Sequence, residues 1–443
     1  MKITKEIIKY IVIFILLIAI YLILLTIVNK IPSRALEKNM KQSAKILMKE
    51  GEIATFNLKY KKEYIFNFTD TVMINLAYSV DSNKPLESLL LSRKNYMTGI
   101  TKKQNTEATV GIGLDAKYSE YEDKEDLYIK ELNDFVNNKN VEESFEYSRY
   151  WHGYMLWLRP LLFVFNIKQI KIFFIAIILL LTAILIYLLY KKINIITAIT
   201  FTIALFSCSI FIIGYSLGEI SIYLIMLISS IIILLKKNYK DTGLLFFIIG
   251  SITSFMDILT SPLITILIPI TIYFLVIQMD EKIGAKDCIK IYIHICLLWG
   301  IGYILTWISK LILVDILENR QVLIQGILQI KERTIGNFKY SEIMERNGMF
   351  FSLNTVYIVL ISAILMILAG IASEKKNKIN ICLLPFLINS IIPFIWYFVV
   401  KNHSYIHPFY SYKLLSITVI NILIIVANIC GLYKIKNNKQ EGN

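Results

Sequence analysis

The chain is a succession of almost wholly apolar blocks, separated by polar connections. The blocks fall at about 7–28, 171–190, 194–214, 219–235, 243–258, 261–278, 289–313, 353–371, 379–400 and 412–432. A helix rises 1.5 Å per residue, so about 20 apolar residues cross the ~30 Å of hydrocarbon in a bilayer. None of the blocks alternates apolar and polar positions with period two, as a transmembrane barrel strand must. In lipid only a helix then satisfies its own backbone groups. The pattern predicts an all-α, polytopic transmembrane bundle of about ten spans. The first block, Ile7–Val28, follows Lys2, Lys5 and Lys9. A basic start also opens a signal peptide, but this apolar run is too long and no small-x-small cleavage site follows, so it reads as an uncleaved anchor.

The polar connections divide the chain further. Residues 1–28 form an inner tip and the first span; 29–170 form a long external loop. Spans two to seven occupy 171–314, a second external segment covers 315–352, and 353–443 hold the last three spans and a tail. The long loop reads as mainly helical, with helices over 34–50, 70–78 and 126–136 and a Thr- and Asn-rich loop over 99–113. Tyr154–Phe165 is apolar but interrupted by Arg159-Pro160, which predicts a helix lying in the membrane interface. No internal repeat is evident.

Charge sets the expected orientation. Lys191–Lys192, Lys236–Lys237–Lys240, Lys282/Lys286/Lys290, Lys375/Lys376/Lys378 and Lys434/Lys436/Lys439 all fall on the side of the N-terminus, whereas the turns 214–219 and 258–260 carry no Lys or Arg. The positive-inside rule then makes both termini cytoplasmic. The same bias accounts for the formal charge of +14. It removes the need for a nucleic-acid partner, since no basic segment is interleaved with an aromatic platform.

Composition agrees: 56% of residues are hydrophobic and 18% charged, against about half and a quarter in soluble chains. The Ile-, Lys- and Asn-rich usage is that of an AT-rich bacterial source and hence a bacterial plasma membrane. The five cysteines, Cys208, Cys288, Cys296, Cys382 and Cys430, lie in or beside the blocks with no CxxC spacing. They read as packing residues rather than a disulfide framework or a metal set.

The unusual chemistry collects at the expected outer boundary. One cluster is Glu146-Tyr147-Ser148-Arg149-Tyr150-Trp151-His152, followed by Arg159. It is either an aromatic belt at headgroup level or a site for an anionic headgroup. In the second reading Arg149 or Arg159 forks a phosphate while Tyr150 and Trp151 cover a sugar or lipid chain. A second cluster is Asp257 with Thr260-Ser261-Pro262. The latter three suit a helix start, but capping leaves Asp257 unexplained, and a carboxylate there needs partners or water. The third is Lys401-Asn402-His403-Ser404-Tyr405-Ile406-His407-Pro408. Its His pair at i, i+4 has metal-ligand spacing, but Pro408 disfavours helix at the preceding residue, so contact with phosphate oxygens fits better. Asp70 caps a short helix or stands as an external carboxylate close to the bilayer. Arg320, Arg333, Arg346 and Asn347 read as a solvated basic face.

With a long first external loop ending in Arg149-Tyr150 and an external His/Lys turn at Lys401–Lys413, the layout resembles the GT-C-type integral-membrane glycosyltransferases. The resemblance covers the chain as architecture. It implies transfer of a sugar from a lipid-phosphate (polyprenyl-phosphate) donor to a cell-envelope glycan acceptor. It makes Asp70 the candidate base, with Arg149, Arg159 and His403 holding the phosphate. The family's acidic residue commonly sits close behind the first span, where this chain offers only Glu37, so Glu146 and Asp257 stay rivals for the role. Trp151, His152, Lys401 and His407 complete the substrate-binding candidates. No metal ligands are assigned, and a divalent cation beside the phosphate is left open. Two other functions remain. A flippase of a lipid-linked saccharide would use the same headgroup contacts but needs polar groups at mid-membrane. A non-catalytic envelope-assembly protein would show large exposed apolar patches in 29–170.

Overall fold

The computed structural model describes residues 2–58, 61–96, 127–137, 143–236, 241–280, 285–336, 338–372 and 383–432. The loop expected over 99–113 and most of the basic connections lie outside them. Among the described residues six helices are long and apolar enough to cross a membrane, not about ten: Lys5–Asn29, Ile167–Lys192, Leu217–Leu235, Lys286–Glu318, Leu353–Ala372 and Pro408–Ile429. The chain is a multi-pass membrane protein with fewer long spans than its hydropathy predicts.

The discrepancy has a local cause. Four blocks read as spans form shorter apolar helices, Ile195–Ser207, Thr242–Met256, Ile264–Gln278 and Leu384–Val399. At 1.5 Å per residue, each reaches only ~20–24 Å. The block 194–214 ran straight through a helix break: Ser209 takes a left-handed φ of 62° and a 3₁₀ turn follows over Ile210–Tyr215. The block 243–258 ends at Asp257, whose backbone is extended. Apolar composition continues across both breaks, and hydropathy does not register backbone direction.

Elements are numbered here in chain order. The first span is α1 (Lys2–Asn29), followed by α2 (Ser33–Glu50). The segment after α2 is mainly helical as expected but adds two pairs of strands. A hairpin of β1 (Ile53–Leu58) and β2 (Lys61–Phe66) pairs Ile53 with Phe66. Next come α3 (Asn67–Tyr78), α4 (Pro85–Leu91), β3 (Arg93–Tyr96), α5 (Leu127–Val136) and β4 (Glu143–Glu146), with Arg93 opposite Glu146 in the β3–β4 ladder. The interfacial helix is α6 (Met155–Val164). The bundle continues with α7 (Ile167–Lys192), α8 (Ile195–Ser207), α9 (Leu217–Leu235), α10 (Thr242–Met256), α11 (Ile264–Asp280) and α12 (Ala285–Glu318). Then follow α13 (Val322–Thr334), α14 (Tyr340–Phe351), α15 (Leu353–Ala372), α16 (Leu384–Val399), α17 (Lys401–Ile406), α18 (Pro408–Ser411) and α19 (Leu415–Ile429).

Two apolar cores hold these together. One joins α8, α9, α11, α16 and α19 through side chains such as Phe201, Met226, Phe274, Phe386 and Leu423. The other packs the external helices onto the membrane helices, with Leu36 and Met40 of α2, Leu90 of α4, Leu158 of α6 and Leu311 of α12 fully buried. Helices α10 and α12 cross so closely that a Cβ at Gly250 would meet the Trp299 carbonyl, a small-residue crossing of the kind lipid-embedded helices use. The elements of 33–164 are thereby fixed on one end of the bundle, where the polar residues gather.

Candidate functional site

The turn between α10 and α11 starts the site. Helix α10 ends with the Asp257 amide donating to the Thr253 carbonyl at 2.8 Å. The chain then reverses through Leu259 at a φ of 68°, a conformation a branched residue adopts only where its surroundings impose it. The reversal folds Thr260 back on Asp257, so that Oδ1 accepts from both the Thr260 amide and hydroxyl at 2.9 Å. Oδ2 is buried and has no hydrogen-bond partner. Burial pushes the carboxyl up to about 6, against the lowering bonds from Thr260. That places it near the range useful for a general base.

Opposite this turn stand α13 and the α17–α18 corner. Arg333, in the last turn of α13, donates to His403 Nδ1 at 2.7 Å. A guanidinium cannot accept, so Nδ1 is the accepting nitrogen and the ring carries its proton on Nε2. Burial, then Arg333, hold His403 well below the usual histidine range, so the ring is neutral. Its Nε2 is buried beside Thr260 without a hydrogen bond of ordinary geometry. His407, with its ring 5.0 Å from that of His403, also leaves Nδ1 unpartnered, and burial pushes it down to about 3.

Arg149 and Tyr150 close the third side. The Arg149 carbonyl accepts from Trp307 Nε1 at 3.0 Å, and its guanidinium lies 4.3 Å from the Tyr147 ring centre and 5.7 Å from that of Tyr150. Arg149 Nε is buried without a partner. Tyr150 sits within electrostatic reach of Arg333, Arg149 and Asp257 together. The segment is tied to the turn by the Gly153 amide, which donates to the Phe255 carbonyl at 2.9 Å. Three sequence-distant clusters thus meet at one place.

Beneath them lies a second polar layer. Lys171 at the head of α7 is 2.8 Å from Asp70 Oδ2, and Asp70 Oδ1 accepts from the Leu217 amide at 2.8 Å. Lys413 pairs with Glu219 in the first turn of α9. The layers touch at Gly218: a Cβ there would lie 3.1 Å from the Tyr410 hydroxyl, 3.2 Å from Thr69 and 3.7 Å from Thr260. A side chain there would require Tyr410 and Thr69 to give by a few tenths of an ångström. Ser261 fastens the same junction by donating to the Tyr410 carbonyl at 2.8 Å.

Other residues singled out in the sequence are committed elsewhere. Arg159 is fully buried and gives its guanidinium to the carbonyls of Val28, Ile31 and Ala77. His152 bridges the Tyr147 carbonyl at 2.7 Å and the Tyr154 hydroxyl at 3.1 Å, and Trp151 donates to the Thr306 carbonyl at 2.7 Å. Glu146 pairs with Arg320 at 3.0 Å and Arg93 at 3.7 Å, away from Asp257. Lys401 is half-buried with its ammonium 5.4 Å from the Phe398 ring centre. Asp70 belongs to the lower layer, in a buried ion pair.

Sequence reading passed over Lys171, Glu219 and Arg333. The first two open apolar blocks and looked like span edges; Arg333 looked like part of a solvated face. Arg346 and Asn347 also do more than face solvent: Arg346 lies 4.0 Å from the Tyr405 ring centre and Asn347 donates to the Ser404 carbonyl at 3.1 Å, clamping the corner that carries His403. Among the described residues no group of three or more His, Cys, Asp or Glu side chains is placed to hold a metal ion.

The chain matches no family model, no curated protein and no solved structure.

Proposed function

We propose that this protein is a membrane glycosyltransferase that moves a sugar from a lipid-phosphate donor to a cell-envelope acceptor on the outer face of a bacterial plasma membrane, with both termini in the cytoplasm. The observation that carries this reading is a carboxylate oxygen without a partner beside two N–H atoms that lack an acceptor of ordinary geometry. Asp257 Oδ2, His403 Nε2 and Arg149 Nε are these atoms, although the Arg149 side chain also interacts with Tyr147 and Tyr150 and His403 with the Thr260 backbone. Buried polar atoms are paired in folded proteins, and a cluster of exceptions marks where a ligand or water belongs.

The chemistry follows from their types. Asp257 takes the proton of an acceptor hydroxyl. The freed oxygen attacks the anomeric carbon, and the bond from that carbon to the donor's phosphate oxygen breaks with inversion. The leaving phosphate carries the electron pair. The Arg333 and Arg149 guanidinium groups and the His403 Nε2–H stabilise its charge. Asp257 takes the base role in preference to Asp70, which Lys171 holds at 2.8 Å, and to Glu146, which two arginines hold.

The test is release of sugar from a polyprenyl-phosphate-sugar donor by the full chain in lipid nanodiscs. Asp257→Asn is expected to lower turnover by about 10²–10⁴-fold, the range of a general base. Turnover at the wild-type level in that variant overturns the assignment. A flippase is the second reading; the buried Lys171–Asp70 and Lys413–Glu219 pairs lie at helix ends and not at the mid-membrane depth it needs. It requires movement of an unmodified lipid-linked saccharide across liposomes with no sugar released.

A further inference from the structure

A cleft of 790 Å³ opens beside this site, between β4 and α13, and shares only Arg149 with the proposed reaction. Its walls include Phe145, Glu146, Arg149, Arg320, Gln325 and Gln329. The volume falls within the range of about 300–1,000 Å³ typical of small-molecule sites.

The lining has a definite chemical character. Gln321, Gln325 and Gln329 recur every four residues, so they form one stripe along α13 facing the cleft. Each amide offers N–H donors and an acceptor with no net charge, with Gln329 giving one N–H to Glu332 Oε2 at 2.6 Å. The charged groups nearly cancel: Arg149, Arg320 and Lys331 stand with Glu146 and Glu332. A polyanion would meet two carboxylates, and a wholly apolar ligand would match Val322, Leu328 and Ile335 but strand the amides. A ligand rich in hydroxyl groups is matched by such alternating donors and acceptors, and Phe145 adds a ring face for its C–H bonds.

Helix α13 also fixes where the cleft lies. Its opposite face exposes Ile324, Ile327 and Ile330, at 54%, 61% and 51%. That is the pattern of a helix lying in a membrane interface. Helix α13 packs on the protein through Val322 and Gly326, so the glutamines border the open cleft while the isoleucines face lipid. Two residues lead from the cleft inward. Arg149 lines it and reaches Tyr150, and Arg333 follows Glu332 on the same helix to contact His403.

We infer that this cleft binds an uncharged oligosaccharide, held by the Gln325 and Gln329 amides with its terminal sugar directed past Arg149 towards Asp257. This rests on the transferase reading for the ligand's role as acceptor; the binding itself does not. The experiment uses the full chain in lipid nanodiscs, free of sugar-based detergent, with chitotetraose, maltotetraose and cellotetraose as probes. Saturation-transfer difference NMR reads contact. At least one tetrasaccharide is expected to receive transfer, and the Gln325→Ala/Gln329→Ala double variant to weaken its binding by about tenfold or more. Glu37→Gln, on the far helix α2, is expected to bind as wild type. Absence of transfer to all three probes, or undiminished binding in the double variant, overturns the proposal. The transferase reading fails separately, through wild-type turnover in Asp257→Asn, because Asp257 does not line the cleft.

Discussion

Two groups of buried polar residues lie within this one protein and are satisfied in opposite ways. Around the exit of α1, Arg159 donates to the carbonyls of Val28, Ile31 and Ala77, and Lys310 gives its ammonium to the carbonyls of Leu89 and Leu90 at 2.6 and 2.9 Å. Each cation closes a helix end whose carbonyls lack intrahelical partners. Around the α10–α11 turn, Asp257, His403, His407 and Arg149 each keep a buried atom without a partner. Ionisable side chains serve architecture in the first place and leave capacity open in the second. Burial alone does not distinguish the two sets of ionisable groups; the completeness of their hydrogen bonding does, although the amide Asn29 at the end of α1 also keeps its Oδ1 without a partner.

The largest expected effect breaks the first region. Arg159→Met strands the Ile31 and Ala77 carbonyls, whereas Val28 keeps the Ile31 amide at 3.1 Å. At about 1–3 kcal/mol per stranded buried group, the loss is a large part of the stability of a typical domain. The expected outcome is no monodisperse peak in size-exclusion chromatography from mild detergent. A folded Arg159→Met protein would mean that water reaches those carbonyls, and the contrast between the regions would fail.

The second effect sharpens the other region. Asp257→Asn is expected to leave that chromatographic peak intact while activity falls as set out above. Its thermal stability at pH 7 is expected to equal or exceed that of the wild type, because the change removes a buried anion that has only Thr260 as its side-chain partner. A drop in stability as large as that of Arg159→Met would place Asp257 with the architectural groups.

The pH dependence follows with its sign. Burial raises Asp257 to about 6, above the ~3.9 of an unfolded aspartate. Its contribution to stability is therefore full below about pH 4 and lost as pH rises through 6, a change of roughly 2–3 kcal/mol. Burial lowers His407 to about 3, below the ~6.5 of an unfolded histidine. That contribution is full above about 6.5 and lost as pH falls towards 3. Melting curves between pH 4 and 7 should thus separate the two: the stability of Asp257→Asn relative to wild type rises with pH, and that of His407→Gln falls. Parallel curves for both variants would remove Asp257 and His407 from the titrating set.

Much of this was legible in the sequence, and the limits are physical. The gathering of His403, Asp257 and Arg149 could be read because polar residues stand out beside apolar blocks, and the blocks fix which end each occupies. The number of long spans could not, because hydropathy runs unbroken through the left-handed turn at Ser209 and the extended Asp257. The β1–β2 hairpin and the β3–β4 pair were missed because the strands are only four to six residues long, and β3 and β4 meet across a long stretch of intervening chain. Arg333 was missed because its role depends on α13 lying against the α17 corner, where Asn402 donates to the Glu332 carbonyl at 2.8 Å. A contact across seventy residues leaves no local pattern.

The smallest expected effect concerns the ion pair at the edge of the second region. Arg320 and Glu146 meet at 3.0 Å with side chains 48% and 30% exposed. In sequence Glu146 had the same claim as Asp257: a carboxylate next to arginine and tyrosine at the outer boundary. The geometry separates them, since water and two guanidinium groups satisfy Glu146 whereas Asp257 keeps an empty oxygen. Glu146→Gln should therefore change the melting temperature by no more than an exposed pair is worth, about 0–1 kcal/mol. The difference from wild type should shrink further as salt is raised, since exposed charges are screened. A salt-independent loss of several kcal/mol would mean that Glu146 is held in a dry network. The division between saturated and open polar groups would then have to be drawn through the cleft rather than around it.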